Sequence, residues 1–206
     1  MGKHVPTPSA TVGPFFPPHY FGAGDHDLTY IDDPARRAQG QKIYIAGHVY
    51  EANRVPRWNT IMELWQADSS GRFAHPNDPR ARDADPHFMG WGRRWTSDEG
   101  FYDFVTIKPG VYLDPLTGKM RAPHINLGIM GSGLMRRLVT TLFFPDEPGN
   151  AADPVYAAVT DTKARALLLL KPEKFDSAPA DALSYRMDIM LQGTEEDPRE
   201  TPFFID

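Results

Sequence analysis

The stretch APHINLGIMGSGLMRRLVTTLFFPD, residues 122–146, decides the fold. Its two halves, APHINLGIM and RLVTTLFFPD, alternate apolar and other residues with the period of half-buried strands, and GSG lies between them. A break of that kind between two alternating runs predicts a β-hairpin. The first half carries His124 and, two residues on and therefore on the same face, Asn126. A histidine on such a strand is either a hydrogen-bonded core residue or a metal ligand, and the strand alone does not separate the two.

Further runs of the same texture lie on either side. KIYIAGHVYE begins at residue 42, NTIMELWQA follows the turn-like ANRVPRW, GFYDFVTIKPG follows the turn SDEG, and LSYRMDIMLQG closes the series. Between 145 and 172, DPVYAAV and TDTKARALLLL bring capping aspartates, alanines and leucines, which predict one or two short helices. No repeat of fixed period is present. These runs predict an all-β protein, an antiparallel β-sandwich, over residues 43–206. Residues 1–42 read as an irregular N-terminal arm. The prolines of TPSATVGPFFPPHYFG forbid a helix or a central strand, while Phe15, Phe16, Tyr20 and Phe21 call for packing on this chain or on a partner. Residues 68–98, rich in Pro, Gly and charge, read as a long loop, and loops of that length in a compact domain carry function or act as packing lids.

Composition narrows the classes of function. Lys plus Arg number 22 and Asp plus Glu 27, a net charge of −5, and the basic residues form short pairs such as Arg36-Arg37, Arg93-Arg94 and Arg136-Arg137 but no long run. That balance argues against an electrostatic nucleic-acid surface or an anionic-membrane partner. The absence of cysteine excludes disulfides, thiolate nucleophiles, cysteine-held zinc and iron–sulfur clusters. Any metal must be held by His, Tyr, Asp or Glu. The start has no hydrophobic signal core and no run spans a bilayer, so a cytoplasmic location is expected. Tyr112, in KPGVYLDP, is the second residue of interest: a phenolate and an imidazole together suit ferric iron. His48, His75 and His87 show no ligand spacing, and no nucleophile elbow, phosphate loop or HExxH occurs.

The ordered set MELWQADSSGRF, SDEGFYDFVTIKPGVY, RAPHIN and LVTTLFFPDE resembles the intradiol ring-cleaving dioxygenases, and TPSATVGPFF and DIMLQG extend the likeness along the chain. The likeness is greatest to the branch built from homologous alpha and beta subunits that cleaves protocatechuate with O2. That resemblance implies the antiparallel sandwich reached above. It also implies a non-haem Fe(III) held in the beta subunit by two tyrosines and two histidines. Against that pattern, Tyr112 and His124 match a ligand each, but Asn126 stands for the second histidine and Arg80, in HPNDPR, for the second tyrosine. Arg121 matches the arginine that settles charge on the substrate. The resemblance therefore implies an alpha-type chain that has only the remains of a site at Arg80, Tyr112, Arg121, His124 and Asn126. Such a chain has no metal and no catalytic residue of its own, and its partner is a homologous catalytic beta subunit that carries the iron. Thr11, Gly13 and Pro14 match the turn that lines the partner's substrate pocket. Thr141 stands where alpha chains carry an arginine, so that residue's part in handling a carboxylate does not transfer. Two other readings remain open. One is a self-sufficient dioxygenase in which His75 or His87 joins Tyr112 and His124; the other is a non-catalytic binding sandwich.

Overall fold

The computed structural model describes residues 16, 18–22 and 24–204. Thr11, Gly13, Pro14 and Phe15 lie outside the described residues. Eleven strands are described: β1 Lys42–Tyr50, β2 Thr60–Trp65, β3 Trp91–Trp95, β4 Phe101–Ile107, β5 Tyr112–Leu113, β6 Met120–Arg121, β7 His124–Gly131, β8 Leu138–Phe143, β9 Lys171–Pro172, β10 Leu183–Arg186 and β11 Ile189–Met190. Two short helices, α1 Pro154–Ala158 and α2 Thr162–Ala166, follow β8, each capped by an aspartate (Asp153 and Asp161) whose side chain accepts two backbone N–H groups of the first turn.

One sheet is antiparallel throughout, in the order β3-β2-β7-β8. The hairpin expected from residues 122–146 is its β7–β8 pair. The other sheet is mixed: β4 pairs antiparallel with β1, whereas β10 and β11 both run parallel to β1, with β9 beyond β10. Alternate residues of each sheet meet in one core. Ile43, Ile45, Phe104 and Ile189 come from the mixed sheet, and Met62, Leu64, Ile125, Leu127 and Ile129 from the antiparallel one. Successive side chains of a strand point to opposite faces, so His124, Asn126 and Gly128 of β7, and Glu63 and Trp65 of β2, fall on the outer face of the antiparallel sheet.

Two local features depart from the strand pattern read in the sequence. LSYRMDIMLQG is a single alternating run, but the strand breaks at Met187 and Asp188. The Met187 carbonyl turns in against Gly47, where a Cβ would lie 1.8 Å from its oxygen, and accepts the Tyr102 hydroxyl at 2.6 Å. Asp188 Oδ1 then takes the His48 N–H at 3.1 Å in place of a ladder carbonyl. Inside the long loop, Trp91–Trp95 forms the edge strand β3. Gly92 reads as a turn residue but serves as a close approach: a Cβ there would lie 2.4 Å from the Asp25 carbonyl. Residues 25–28 cross over it, and Leu28 is fully buried in the core. That one side chain is worth about 2 kcal/mol, enough to hold the segment onto the sandwich.

Candidate functional site

Tyr112 and His124 come together through the short β5–β6 ribbon. Asp114 closes its turn by accepting the Leu116 N–H and the Thr117 hydroxyl, and those bonds hold its carboxyl below the usual carboxylate range. The ribbon pairs Tyr112 with Arg121, three residues before His124. The His124 ring is 3% exposed and lies between Tyr112 and Phe143, with centroids 5.6 and 5.8 Å away. Its Nδ1 is 2.6 Å from the Ala122 carbonyl, which can only accept, so Nδ1 carries the proton and Nε2 the lone pair. Tyr112 Oη, 3.4 Å from Nε2, donates to it. Burial, and then the Arg121 charge, push the His124 pKa down to about 4. Burial raises that of Tyr112 against the opposing pull of Arg121. At neutral pH the pair is therefore a protonated phenol donating to a neutral imidazole.

Arg121 is anchored by Asp153, a residue that sequence reasoning met only as a helix cap. Asp153 Oδ2 accepts Arg121 Nε at 2.9 Å and the Ala122 N–H at 3.0 Å, while Oδ1 caps α1 through Val155 and Tyr156. Arg121 is 11% exposed and Asp153 0%. The backbone of Ala122 is thus held on both sides of its Cα, its N–H by Asp153 and its carbonyl by His124. A partner 32 positions away along the chain leaves no local signal in the sequence.

The other two residues of the expected set lie to either side. Arg80 shares a pocket of about 330 Å³ with Tyr112, Trp65 and Phe73, and its Nη2 donates to the Gly71 carbonyl at 3.1 Å. Gly71 itself packs on Tyr112, where a Cβ would lie 3.2 Å from the tyrosine Cβ. Arg80 and Tyr112 therefore line the same pocket, with a guanidinium where the family pattern has a second tyrosine. Asn126 is registered between Trp65 of β2 and Thr141 of β8 and accepts the Thr141 hydroxyl at 3.0 Å. It opens onto a second cleft, of about 450 Å³, together with Trp65 and Arg121. Trp65 lines both spaces; its signal in the sequence was only its outward place on β2. His75 lines the Arg80 pocket, and its Nδ1 accepts the Asn77 N–H at 3.2 Å. His87 lies outside both lining sets.

The ferric ion implied by the resemblance does not fit this donor set. Tyr112 and His124 have a suitable mutual geometry, and an Nδ1–H held by a carbonyl is the usual support of a ligating imidazole. The two further ligands are not supplied: Asn126 offers a neutral amide already hydrogen-bonded to Thr141, and Arg80 a fixed cation. Among the described residues no three of His, Cys, Asp and Glu converge.

The family model described as "Dioxygenase" matches residues 12–193. The chain is 36% identical over 180 residues to the protocatechuate 3,4-dioxygenase beta chain of Burkholderia cepacia, covering 87% of this chain and 76% of that one. It is 34% identical over 209 residues to the alpha chain of the same organism, with 96% of each covered. Among solved structures, 3-chlorocatechol 1,2-dioxygenase from Rhodococcus opacus 1CP superposes with a TM-score of 0.62 at 22% identity, over 89% of this chain and 72% of that one. The two-sheet sandwich with a tyrosine and a histidine meeting at one strand end is a dioxygenase scaffold of the intradiol type. The chain belongs to the intradiol dioxygenase family. Within that family it is similar to both protocatechuate 3,4-dioxygenase chains, and identity alone does not choose between them.

Proposed function

We propose that this chain is the alpha-type, non-iron-binding subunit of a protocatechuate 3,4-dioxygenase. It assembles with a homologous catalytic beta subunit, and the holoenzyme cleaves protocatechuate with O2 to 3-carboxy-cis,cis-muconate. The observation that supports this reading is the pair of residues at the other two ligand positions: Arg80, in the pocket that Tyr112 lines, and Asn126, tied to Thr141. A cation in place of a tyrosine and an amide in place of an imidazole remove two of four ligands, and the fixed positive charge opposes a trivalent ion. The Fe(III) of the holoenzyme then belongs to the beta subunit, where it supplies activation of the bound catechol. This chain contributes pocket wall and interface, with Thr11, Gly13 and Pro14 of its arm against the substrate. The protein is cytoplasmic on this reading; among the described residues no helix is long and apolar enough to cross a membrane.

The test is iron content. Purified alone, the chain should hold no stoichiometric iron and show no ring cleavage. Co-expressed with a beta chain, it should yield one iron per alpha–beta pair. Arg80→Tyr and Asn126→His together are the minimum change expected to restore a metal site, and neither alone should suffice. Iron near one per isolated chain, with a tyrosinate charge-transfer band, would refute the assignment in favour of a self-sufficient enzyme.

A further inference from the structure

At the break between β10 and β11 lies a niche of about 60 Å³ that shares no lining residue with the two spaces around Tyr112 and Asn126. Four cations border it, Arg54, Lys171, Arg186 and Arg199, with Asp188 as the one carboxylate. They come from four segments of a chain whose net charge is −5. The pairing of β9 with β10 sets Lys171 directly opposite Arg186, where like charges repel. Thr201 fixes the C-terminal segment beside β11: its N–H donates to the Met190 carbonyl and its hydroxyl accepts the Met190 N–H, which brings Arg199 alongside. Arg54 arrives from the turn after β1, in which Asn53 and Arg54 are both left-handed, with φ of 58° and 56°. Asparagine tolerates that region, whereas a long side chain enters it at a cost. The acids do not balance these charges. Asp188 is spent, its Oδ1 on the His48 N–H at 3.1 Å and its Oδ2 on Arg186 Nε at 3.0 Å. Glu173 takes Arg186 Nη1. Asp197 takes Arg199 Nε and Nη2 and lies in the field of Arg54. Arg54 itself stands over the Tyr50 ring, 5.7 Å from its centroid, and among the described residues the Lys171 ammonium has no carboxylate within 4 Å.

Cations held together against their own repulsion, one of them on a costly backbone, call for an anion. We propose that this niche binds a dianionic tetrahedral oxyanion, either free phosphate or the phosphate group of a small monoester. The anion lies between Lys171 and Arg186 and accepts from Arg54 and Arg199, so it clips the four segments together over the strand break. The size agrees: a water-sized position takes roughly 10–15 Å³, and the niche therefore holds about four oxygens. Its floor is leucine and methionine, and a less polar surrounding strengthens each charged contact. The site goes beyond the subunit assignment and does not rest on it.

The full chain, alone or in the complex it forms, is melted at about pH 8 in sodium phosphate and in sodium chloride of matched ionic strength. Phosphate at about 10 mM should raise Tm by about 3 °C or more over chloride, and the rise should saturate. Glycerol 2-phosphate forms the second arm. An equal rise identifies the site as one for a monoester, and a rise with inorganic phosphate alone as one for the free ion; either supports the proposal. Arg54→Gly relieves the left-handed backbone, so without phosphate its Tm should be no lower than that of the parent chain, while its phosphate response falls by at least half. Lys171→Gln, at an exposed position, removes the repulsion with Arg186 and should behave in the same way. Coincident melting in phosphate and chloride, an equal rise with acetate, or a full phosphate response in either folded variant would overturn the proposal.

Discussion

Asp153→Ala is expected to remove a large part of the chain's stability. Three losses follow from its contacts. The α1 N-cap contributes about 1 kcal/mol. The Ala122 N–H, buried and left without an acceptor, costs about 1–3 kcal/mol. Arg121, 11% exposed, becomes a cation without its carboxylate, and breaking a buried pair from one side costs about 3–5 kcal/mol. Relaxation and entering water recover part of this, so a net loss of about 4 kcal/mol or more is expected. Typical domains have only about 5–15 kcal/mol in total. Urea unfolding followed by tryptophan fluorescence measures it directly. The reasoning also fixes the double variant. Arg121→Met/Asp153→Ala removes the stranded cation and should be at least about 2 kcal/mol more stable than Asp153→Ala alone, a non-additivity expected of residues in direct contact. A loss below about 1.5 kcal/mol for Asp153→Ala, or strict additivity in the cycle, would refute the view that this carboxylate holds the β6–β7 junction.

Three other outcomes are expected. His124 has a folded-state pKa of about 4 against an ordinary 6.5, so on acidification the unfolded chain takes up its proton first. Stability should therefore fall between about pH 6.5 and 4, by up to roughly 3 kcal/mol; His124→Gln should lack that slope, and superimposable pH–stability curves would contradict the buried neutral imidazole. Gly47→Ala drives a methyl into the Met187 carbonyl, which is backbone and cannot yield, and should cost more than about 3 kcal/mol. Gly128→Ala meets only the flexible end of Arg137 and should cost less than about 1 kcal/mol; similar melting temperatures for the two would show that the close approach is not decisive. On the subunit assignment proposed above, with the T-x-G-P turn lining the substrate pocket, Gly13→Val in the assembled enzyme should raise KM several-fold with iron content and assembly near normal; an unchanged KM would make that turn structural.

Alternation with period two made β1, β2, β4, β7, β8 and β10 readable, although β1, β2, β7 and β8 each bury three or more consecutive residues and so are covered on both faces in part. It carries no information on direction, so the parallel placing of β10 and β11 beside β1 had to come from the structure. β3 was hidden by its own composition. As an edge strand with Arg93 under the Tyr20 ring and Arg94 paired to Asp103, it needs charge where an inner strand needs valine, and its glycine is there for the crossing of residues 25–28. At the site, Tyr112 and His124 were legible from neighbouring motifs. The Asp153 anchor was not, since a helix-capping aspartate looks the same whether or not its second oxygen reaches across the fold.

The positions of the expected ligand set differ in how firmly the fold holds them. His124 is packed between two rings and donates to the Ala122 carbonyl, and Tyr112 roofs it. Replacing either removes core packing whether or not a metal is present. Arg80 sits on a loop with its side chain 43% exposed, and Asn126 occupies an outward position half open to a cleft. Substitution there costs the fold little. A chain released from metal binding is therefore free to change at 80 and 126 long before it can change at 112 and 124. On the reading proposed above, the Tyr–His contact is the part of the site that packing maintains by itself, and its presence is poor evidence for a metal. The informative residues are the two that packing does not constrain. There the side chains are a cation and an amide, which oppose a ferric ion.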